Sequence, residues 1–309
     1  MAKHADAVPV SSGERPKNSD AQSISIAEFD GSFAPNARPV ETRALPWYRS
    51  REYFLDGWLD PQTWKAAFIE MVGTSCLVFV SGHIAATLLS YGTPQLGAYI
   101  GLSNVFLISV FIYATAAITG GHLNPMITFS SIFAGLCPFS RGTLYLCFQT
   151  LGSALAGGIL LGVYGGERAI RVQGGGCFYD PVTMSPLQVF LNEIFASFVL
   201  LFLAYGVGLD PRQAIIFGPK FGPILVASSL GLVTFATSGI APRYAGAQMN
   251  PARCFAYGIA RRDMSSQWIW WFGPAIAALL LAFIYNLVPP HPPEKARCNM
   301  QLRAMAEPA

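Results

Sequence analysis

The sequence predicts an all-α membrane protein with six transmembrane helices plus two re-entrant half-helices in an inverted repeat. Three observations carry that prediction. They are six apolar runs of spanning length, a glutamate at a matching place in the first run of each half, and an Asn-Pro segment at a similar distance after each glutamate.

Composition sets the solvent. Of 309 residues, 52% are hydrophobic and 12% charged, about half the charged fraction of a typical soluble domain. The apolar runs cover 64–89, 98–118, 143–164, 187–207, 221–240 and 269–288. Each holds about 20 residues or more, and at roughly 1.5 Å rise per residue each crosses an apolar core of about 30 Å. Six such runs in succession, joined by short polar connections, argue against a water-soluble bundle. Trp47, Trp58 and Trp64 precede the first run and Trp268, Trp270 and Trp271 open the last, the headgroup placement that tryptophan prefers.

The expected organisation is a largely disordered cytoplasmic tail over 1–60, a membrane domain over 61–290 with repeats at about 64–165 and 187–288, and a cytoplasmic tail over 291–309. The first tail is polar and rich in Ser, Pro, Asn and Arg, without the apolar segment of a cleavable signal. With six alternating spans, Arg43, Arg49, Arg51, Arg141, Arg212, Lys220, Lys295, Arg297 and Arg303 fall on one side. Arg168, Arg171, Arg243, Arg261 and Arg262 fall on the other. The excess is small, and it directs both termini to the cytoplasm.

Several function classes are disfavoured. The net charge of +3 has no basic stripe with interleaved aromatics behind it, so no nucleic-acid partner is expected. The six cysteines form no CxxC pair and no metal spacing, and neither a metal nor a cofactor is expected. Cys76 and Cys147, inside runs, read as small packed hydrophobes, whereas Cys177 in an outer loop and Cys254 beside the second Asn-Pro stand apart. HExxH, GxSxG and P-loop patterns are absent, and His83, alone in its run, reads as an interhelical hydrogen-bond donor rather than a catalyst. An enzyme is therefore not expected.

Apart from Lys65 at a membrane edge, Glu70 and Glu193 are the ionisable Asp, Glu, Lys or Arg residues of the six runs. An acid in a spanning helix costs kcal/mol, so each belongs in the bundle interior with partners. Their surroundings match, Phe68-Ile69-Glu70-Met71-Val72-Gly73-Thr74 against Leu191-Asn192-Glu193-Ile194-Phe195-Ala196-Ser197. Asn124 follows the first by 54 residues and Asn250 follows the second by 57. A repeat of three spans cannot return the chain to its starting side, so the second copy must be inverted. Both acids read as struts tying loop backbone to helix.

The segments GGHLNPMITFSSIFAG and GAQMNPARCFAYGIA are too apolar for exposed loops and too short to cross. In each, Asn caps a helix and Pro occupies its first position, where no N–H is needed and φ is preset. About 11 residues of helix reach roughly 17 Å, half the membrane. Non-helical backbone at that depth survives only where protein buries it or where it lines water. Residues 120–123 and 246–249 should therefore line a pore. At the midplane the two positive helix ends meet, repelling cations, while the Asn124 and Asn250 amides donate to a passing oxygen.

This constellation closely resembles the aquaporin-like major intrinsic protein family over roughly residues 64–288, whose two NPA boxes align with Asn124-Pro125-Met126 and Asn250-Pro251-Ala252. The resemblance implies a passive channel for small uncharged solutes (water, glycerol, urea or hydrogen peroxide) that excludes ions and protons. It implies a selectivity filter at Arg253 and Ala247, three residues either side of Asn250, with Asn104 from the second run. Thr234 from the fifth run completes it, Ser238 being the alternative. No histidine or aromatic residue joins Arg253 at these positions, unlike strict water channels, so a wider, moderately polar opening is expected. The string NPARC, with Cys177 in the Gly-rich third loop, is similar to the X intrinsic proteins of fungi and plants. Met126 stands where the first box usually has Ala; its thioether packs against the second half-helix or narrows the midplane into a poorly water-conducting or gated channel. A secondary transporter also uses inverted repeats, but the runs offer few carboxylates for a coupling ion. A homotetramer embedded in membrane lipid is expected from the family, with Gly152, Ser153, Ala154, Ala156, Gly157 and Gly158 permitting close helix packing. The plasma membrane is the expected location.

Overall fold

The structure, a computed structural model, describes residues 47–211 and 214–287. The expectations placed on residues 1–46, Arg212 and the 291–309 tail lie outside the described residues. A short helix α1 (Arg51–Leu55) precedes the spans α2 (Pro61–Ser90) and α3 (Leu96–Thr119), the half-helix α4 (Pro125–Phe133) and the span α5 (Phe139–Tyr164). After a short helix α6 (Gly166–Arg171) the pattern recurs as spans α7 (Pro186–Ala204) and α8 (Ala214–Thr237), half-helix α9 (Pro251–Arg261) and span α10 (Gln267–Leu287). A π-helical turn, Tyr205–Leu209, prolongs α7. Among the described residues six helices are long and apolar enough to cross a membrane.

Local chemistry sets where these helices begin. Asp60 caps α2, its carboxylate accepting from the N–H of Gln62 at 3.0 Å and of Thr63 at 3.2 Å, with Pro61 in the first position. Ser185 and Gln188 form a reciprocal capping box at the start of α7, again followed by proline.

The packing has the two-fold character of the repeat. Span α2 packs on α5 as α7 packs on α10, α4 packs on α10 as α9 packs on α5, and α3 crosses α8 at the centre. At that crossing Gly101 and Gly231 meet. A Cβ on Gly101 would lie 2.8 Å from the Gly231 carbonyl oxygen, and one on Gly231 would lie 2.6 Å from that of Gly101. Only the missing side chains let the backbones approach so closely. Outside, α3 presents Leu102, Phe106, Val110 and Tyr113 as an exposed stripe at helical spacing. Its buried residues include Gly101, Asn104, Ser109 and Thr115, so the outer face is the more apolar one.

Four expectations need correction. Residues 47–60 do not continue a disordered tail. Trp47 Nε1 donates to Asn286 Oδ1 at 3.0 Å, and the Tyr53 hydroxyl lies 2.5 Å from the carbonyl oxygens of both Ile132 and Cys137. Aromatic side chains carry this docking, a signal that the polar composition of the tail hid. Cys76 and Cys147 are exposed at the surface of the chain rather than packed inside. The hydrogen bond of His83 lies within its own helix, its Nδ1 3.0 Å from the Phe79 carbonyl one turn earlier, while its contact with another helix is the Tyr164 ring at 5.3 Å. Gly152 and Gly157 serve packing within the chain, since a Cβ would lie 2.3 Å from the Met71 carbonyl oxygen at the first and 2.5 Å from that of Ala256 at the second. Those two glycines therefore say nothing about contacts between subunits.

Candidate pore

Each half-helix is started by its asparagine. Asn124 Oδ1 accepts from the Met126 N–H at 2.9 Å; Asn250 Oδ1 accepts from the N–H groups of Ala252 at 3.1 Å and Arg253 at 3.3 Å. With the oxygens so used, the amide nitrogens cross the midplane. Asn124 Nδ2 donates to the Met249 carbonyl at 2.8 Å, and Asn250 Nδ2 donates to the Leu123 carbonyl at 3.3 Å. Each amide group has two N–H donors, so one bond across the interface leaves one donor for the pore. The carbonyls of Leu123 and Met249 are presented because both residues are left-handed, with φ of 49° and 54°, a conformation costly for side chains of this kind.

The buried glutamates hold that backbone in place. Glu70 accepts from the N–H groups of His122 at 3.0 Å and Leu123 at 2.7 Å, and also from the Thr119 hydroxyl at 2.6 Å and Gln149 Nε2 at 2.7 Å. Glu193 accepts from the N–H groups of Gln248 at 2.9 Å and Met249 at 2.6 Å. Both carboxylates therefore sit behind the re-entrant loops and draw their N–H groups away from the midplane.

Two cavities flank the crossed asparagines. The inner one, about 40 Å³, is bounded by Gly120, Gly121, His122 and Leu123 of the first loop, by Asn124 and Asn250, and by apolar walls such as Ile112 and Leu200. The outer one, about 20 Å³, is bounded by Thr234, Ala247 and Arg253 together with Gln248, Gly175, Gly176 and Phe178. A single water needs about 10–15 Å³, so the outer cavity has room for about one water. Arg253 is 6% exposed, its guanidinium carbon lies 5.7 Å from the Tyr257 ring centroid, and its Nε has no acceptor among the described residues.

The sequence-expected residues are distributed as follows. Thr234, Ala247 and Arg253 face one cavity. Asn104 does not line it. It is buried, with its Nδ2 3.5 Å from Thr234 Oγ1. Ser238, the alternative to Thr234, is turned away, its hydroxyl donating to the Thr234 carbonyl at 2.6 Å. Met126 is 1% exposed and packs in an apolar cluster with Leu200, Met249 and Ala277; it borders neither cavity. Phe178 was missed, because its place on the same cavity as Arg253 depends on how the third loop folds back. Cys177 and Cys254 form a disulfide with Cα atoms 5.4 Å apart. It ties that loop to α9 immediately after Arg253.

Residues 58–285 match the model of the family described as Major intrinsic protein. The chain belongs to that family. It is 32% identical to the probable aquaporin TIP4-1 of Oryza sativa subsp. japonica over 232 residues, covering 72% of this chain and 86% of the rice protein. Aquaporin TIP4-1 of Zea mays is 31% identical over 229 residues, covering 72% of this chain and 84% of its own. Among solved structures, the aquaglyceroporin from Plasmodium falciparum superposes with a TM-score of 0.57 at 20% identity, covering 73% of this chain and 96% of that one, a likeness of fold. Family membership and six spans make the chain an integral membrane channel protein, not an enzyme.

Proposed function

We propose that the chain is a passive channel for small uncharged solutes (water and/or glycerol, urea and hydrogen peroxide) that excludes ions and protons. The observation that carries this reading is the midplane itself. Two helix N-termini converge there, each equivalent to roughly half a positive charge, and Asn124 and Asn250 cross to fix them in place. Fixed positive potential opposes cations, and the remaining amide donors favour a neutral solute oxygen. Arg253 adds a full charge to the outer cavity, where Thr234 and Ala247 leave space for a solute. Asn104 acts through Thr234. Neither cavity is lined by a carboxylate among the described residues, which favours a channel over an ion-coupled secondary transporter. The midplane reading of Met126 has no support from its packing.

The Cys177–Cys254 bond supports the topology as well, because disulfides persist in oxidising compartments. It lies on the membrane face opposite Trp47 and Tyr53, so both chain ends belong to the cytoplasmic side, and the plasma membrane is our proposed location. The X-type assignment rests on Cys254 in NPARC and its partner Cys177. Homotetrameric assembly rests on the family alone; native mass spectrometry in mild detergent that returns only monomers refutes it.

The test of solute passage is osmotic swelling and shrinkage of proteoliposomes in water, glycerol and urea gradients, with Thr234→His beside the native protein. A ring added to the outer cavity should lower glycerol flux several-fold more than water flux. An unchanged glycerol-to-water ratio places the filter elsewhere, and ionic current in planar bilayers above that of empty membranes refutes ion exclusion.

A further inference from the structure

We propose that the Cys177–Cys254 disulfide and Arg261 form a clamp that sets the width of the outer cavity, which makes them positioning residues for selection of solutes by size. The proposal rests on the reading of that cavity as the solute filter.

The third loop has a backbone that does not hold itself. Gln173, Gly174, Gly175, Gly176 and Cys177 all have positive φ, at 55°, 67°, 110°, 146° and 54°. The three glycines adopt such angles freely, whereas Gln173 and Cys177 do so against steric preference. A run of this kind persists only where its surroundings over-determine it. Arg261 supplies one tie, its Nη1 donating to the carbonyl oxygens of Gly176 and Cys177 at 2.9 Å each. The disulfide supplies the second. A third comes from the Ala245 N–H, which donates to the Phe178 carbonyl at 3.1 Å.

These ties join two walls of the same cavity. Gly176 and Phe178, on either side of Cys177, bound it from the loop, and Arg253, next to Cys254, bounds it from α9. The bond therefore fixes the distance between the loop wall and the arginine wall. Arg261 lies on the same helix as Arg253 and grips the same loop, so both ties draw the loop toward α9. Releasing either lets the left-handed run relax away from Arg253. A narrow opening then admits wider molecules, while water, which already fits, gains less.

The experiment uses the full chain in proteoliposomes, with water and glycerol fluxes measured by stopped-flow light scattering for the native protein, the Cys177→Ala/Cys254→Ala pair and Arg261→Met. Thermal unfolding in detergent is followed in parallel. The glycerol-to-water ratio should rise about threefold in the cysteine pair and about twofold in Arg261→Met, and Arg261→Lys, which keeps one donor group, should fall between Arg261→Met and the native protein. A melting temperature that falls with the ratio unchanged makes the clamp structural only and overturns the proposal. If the cysteine pair does not fold, Arg261→Met with its disulfide intact decides alone, an unchanged ratio again overturning the idea. Failure of the underlying filter reading has a separate signature, since Thr234→His would then leave the native ratio where it was.

Discussion

The two half-helices begin alike and end differently. At the midplane α4 and α9 have the same parts, a capping asparagine, a proline and a buried glutamate holding two loop N–H groups. At their outer ends α4 is met by Tyr53 and by Asn286, whose Nδ2 donates to the Phe133 carbonyl at 2.9 Å. The outer end of α9 instead grips a loop through Arg261, and the same loop is covalently bonded to the first turn of the helix. The midplane chemistry is thus shared by the repeats, while each outer end is secured by whatever the chain supplies nearby. On the side assigned to the cytoplasm that supply is hydrogen bonds and aromatic rings. The opposite side uses a disulfide, which an oxidising compartment preserves.

The largest expected effect comes from removing the shared part. Glu70→Ala and Glu193→Ala each strand two loop N–H groups, at about 1–3 kcal/mol per donor, and Glu70→Ala strands the Thr119 hydroxyl and the Gln149 amide as well. Because α9 keeps its disulfide, Glu193→Ala should retain more folded protein than Glu70→Ala in fluorescence-detected size exclusion. The reverse order would show that the covalent tie does not substitute for the strut. Next in size is the tie itself. Cys177→Ala/Cys254→Ala releases a bond that spans a sequence separation of 77 residues, and a stability loss of about 2–4 kcal/mol is expected. It should be read as a lower melting temperature relative to the native protein without reductant.

On the other end, Tyr53→Phe removes the hydroxyl serving Ile132 and Cys137, with an expected cost of about 1 kcal/mol, since water at that end partly replaces it. A loss equal to that of the cysteine pair would erase the contrast between the two ends. The smallest effect is one of pH. The Gln62 N–H holds the Asp60 carboxyl below its ordinary range, with the Thr63 hydroxyl helping. A depressed carboxylate contributes stability that is present above its unfolded value and lost as pH falls through the folded one. Melting temperature should therefore drop slightly on acidification below the ordinary carboxylate range, and Asp60→Asn should flatten that part of the profile. A full-sized drop in the variant would assign the effect to other acids.

Legibility followed the range of the interactions. Asp60, Asn124, Ser185 and Asn250 announce helix starts because a cap acts within three residues of itself. The recurrence of Glu70 and Glu193 announced the inverted repeat because a buried acid is too costly to be incidental. The place of Arg253 one turn into α9 followed from the same local register. Asn104 was harder. Counting residues put it on α3, but its contact with Thr234, 3.5 Å from its Nδ2, joins helices 130 residues apart and depends on how they pack. Tyr53 was hidden inside a segment whose average composition is polar, and Trp47, read there as a membrane-edge residue, gave no sign of its bond to Asn286.

From the sequence alone came the solvent, the six spans, the two half-helices with their caps and the inversion that sets them point to point, all of them consequences of chain length, local hydrogen bonding and the cost of charge in lipid. Tertiary structure alone decided the pairing of Cys177 with Cys254, the placing of Phe178 and Arg253 on one cavity, the retreat of Met126 into the core, and the outward turn of Cys76 and Cys147. The physical reason lies in the solvent. In water an apolar stripe marks the inner face of a helix, but lipid is as apolar as a core, so hydrophobicity does not tell the two faces apart. Which way a side chain points in this bundle is settled by close packing at places such as Gly101 against Gly231, and that contact exists only once both helices are in place.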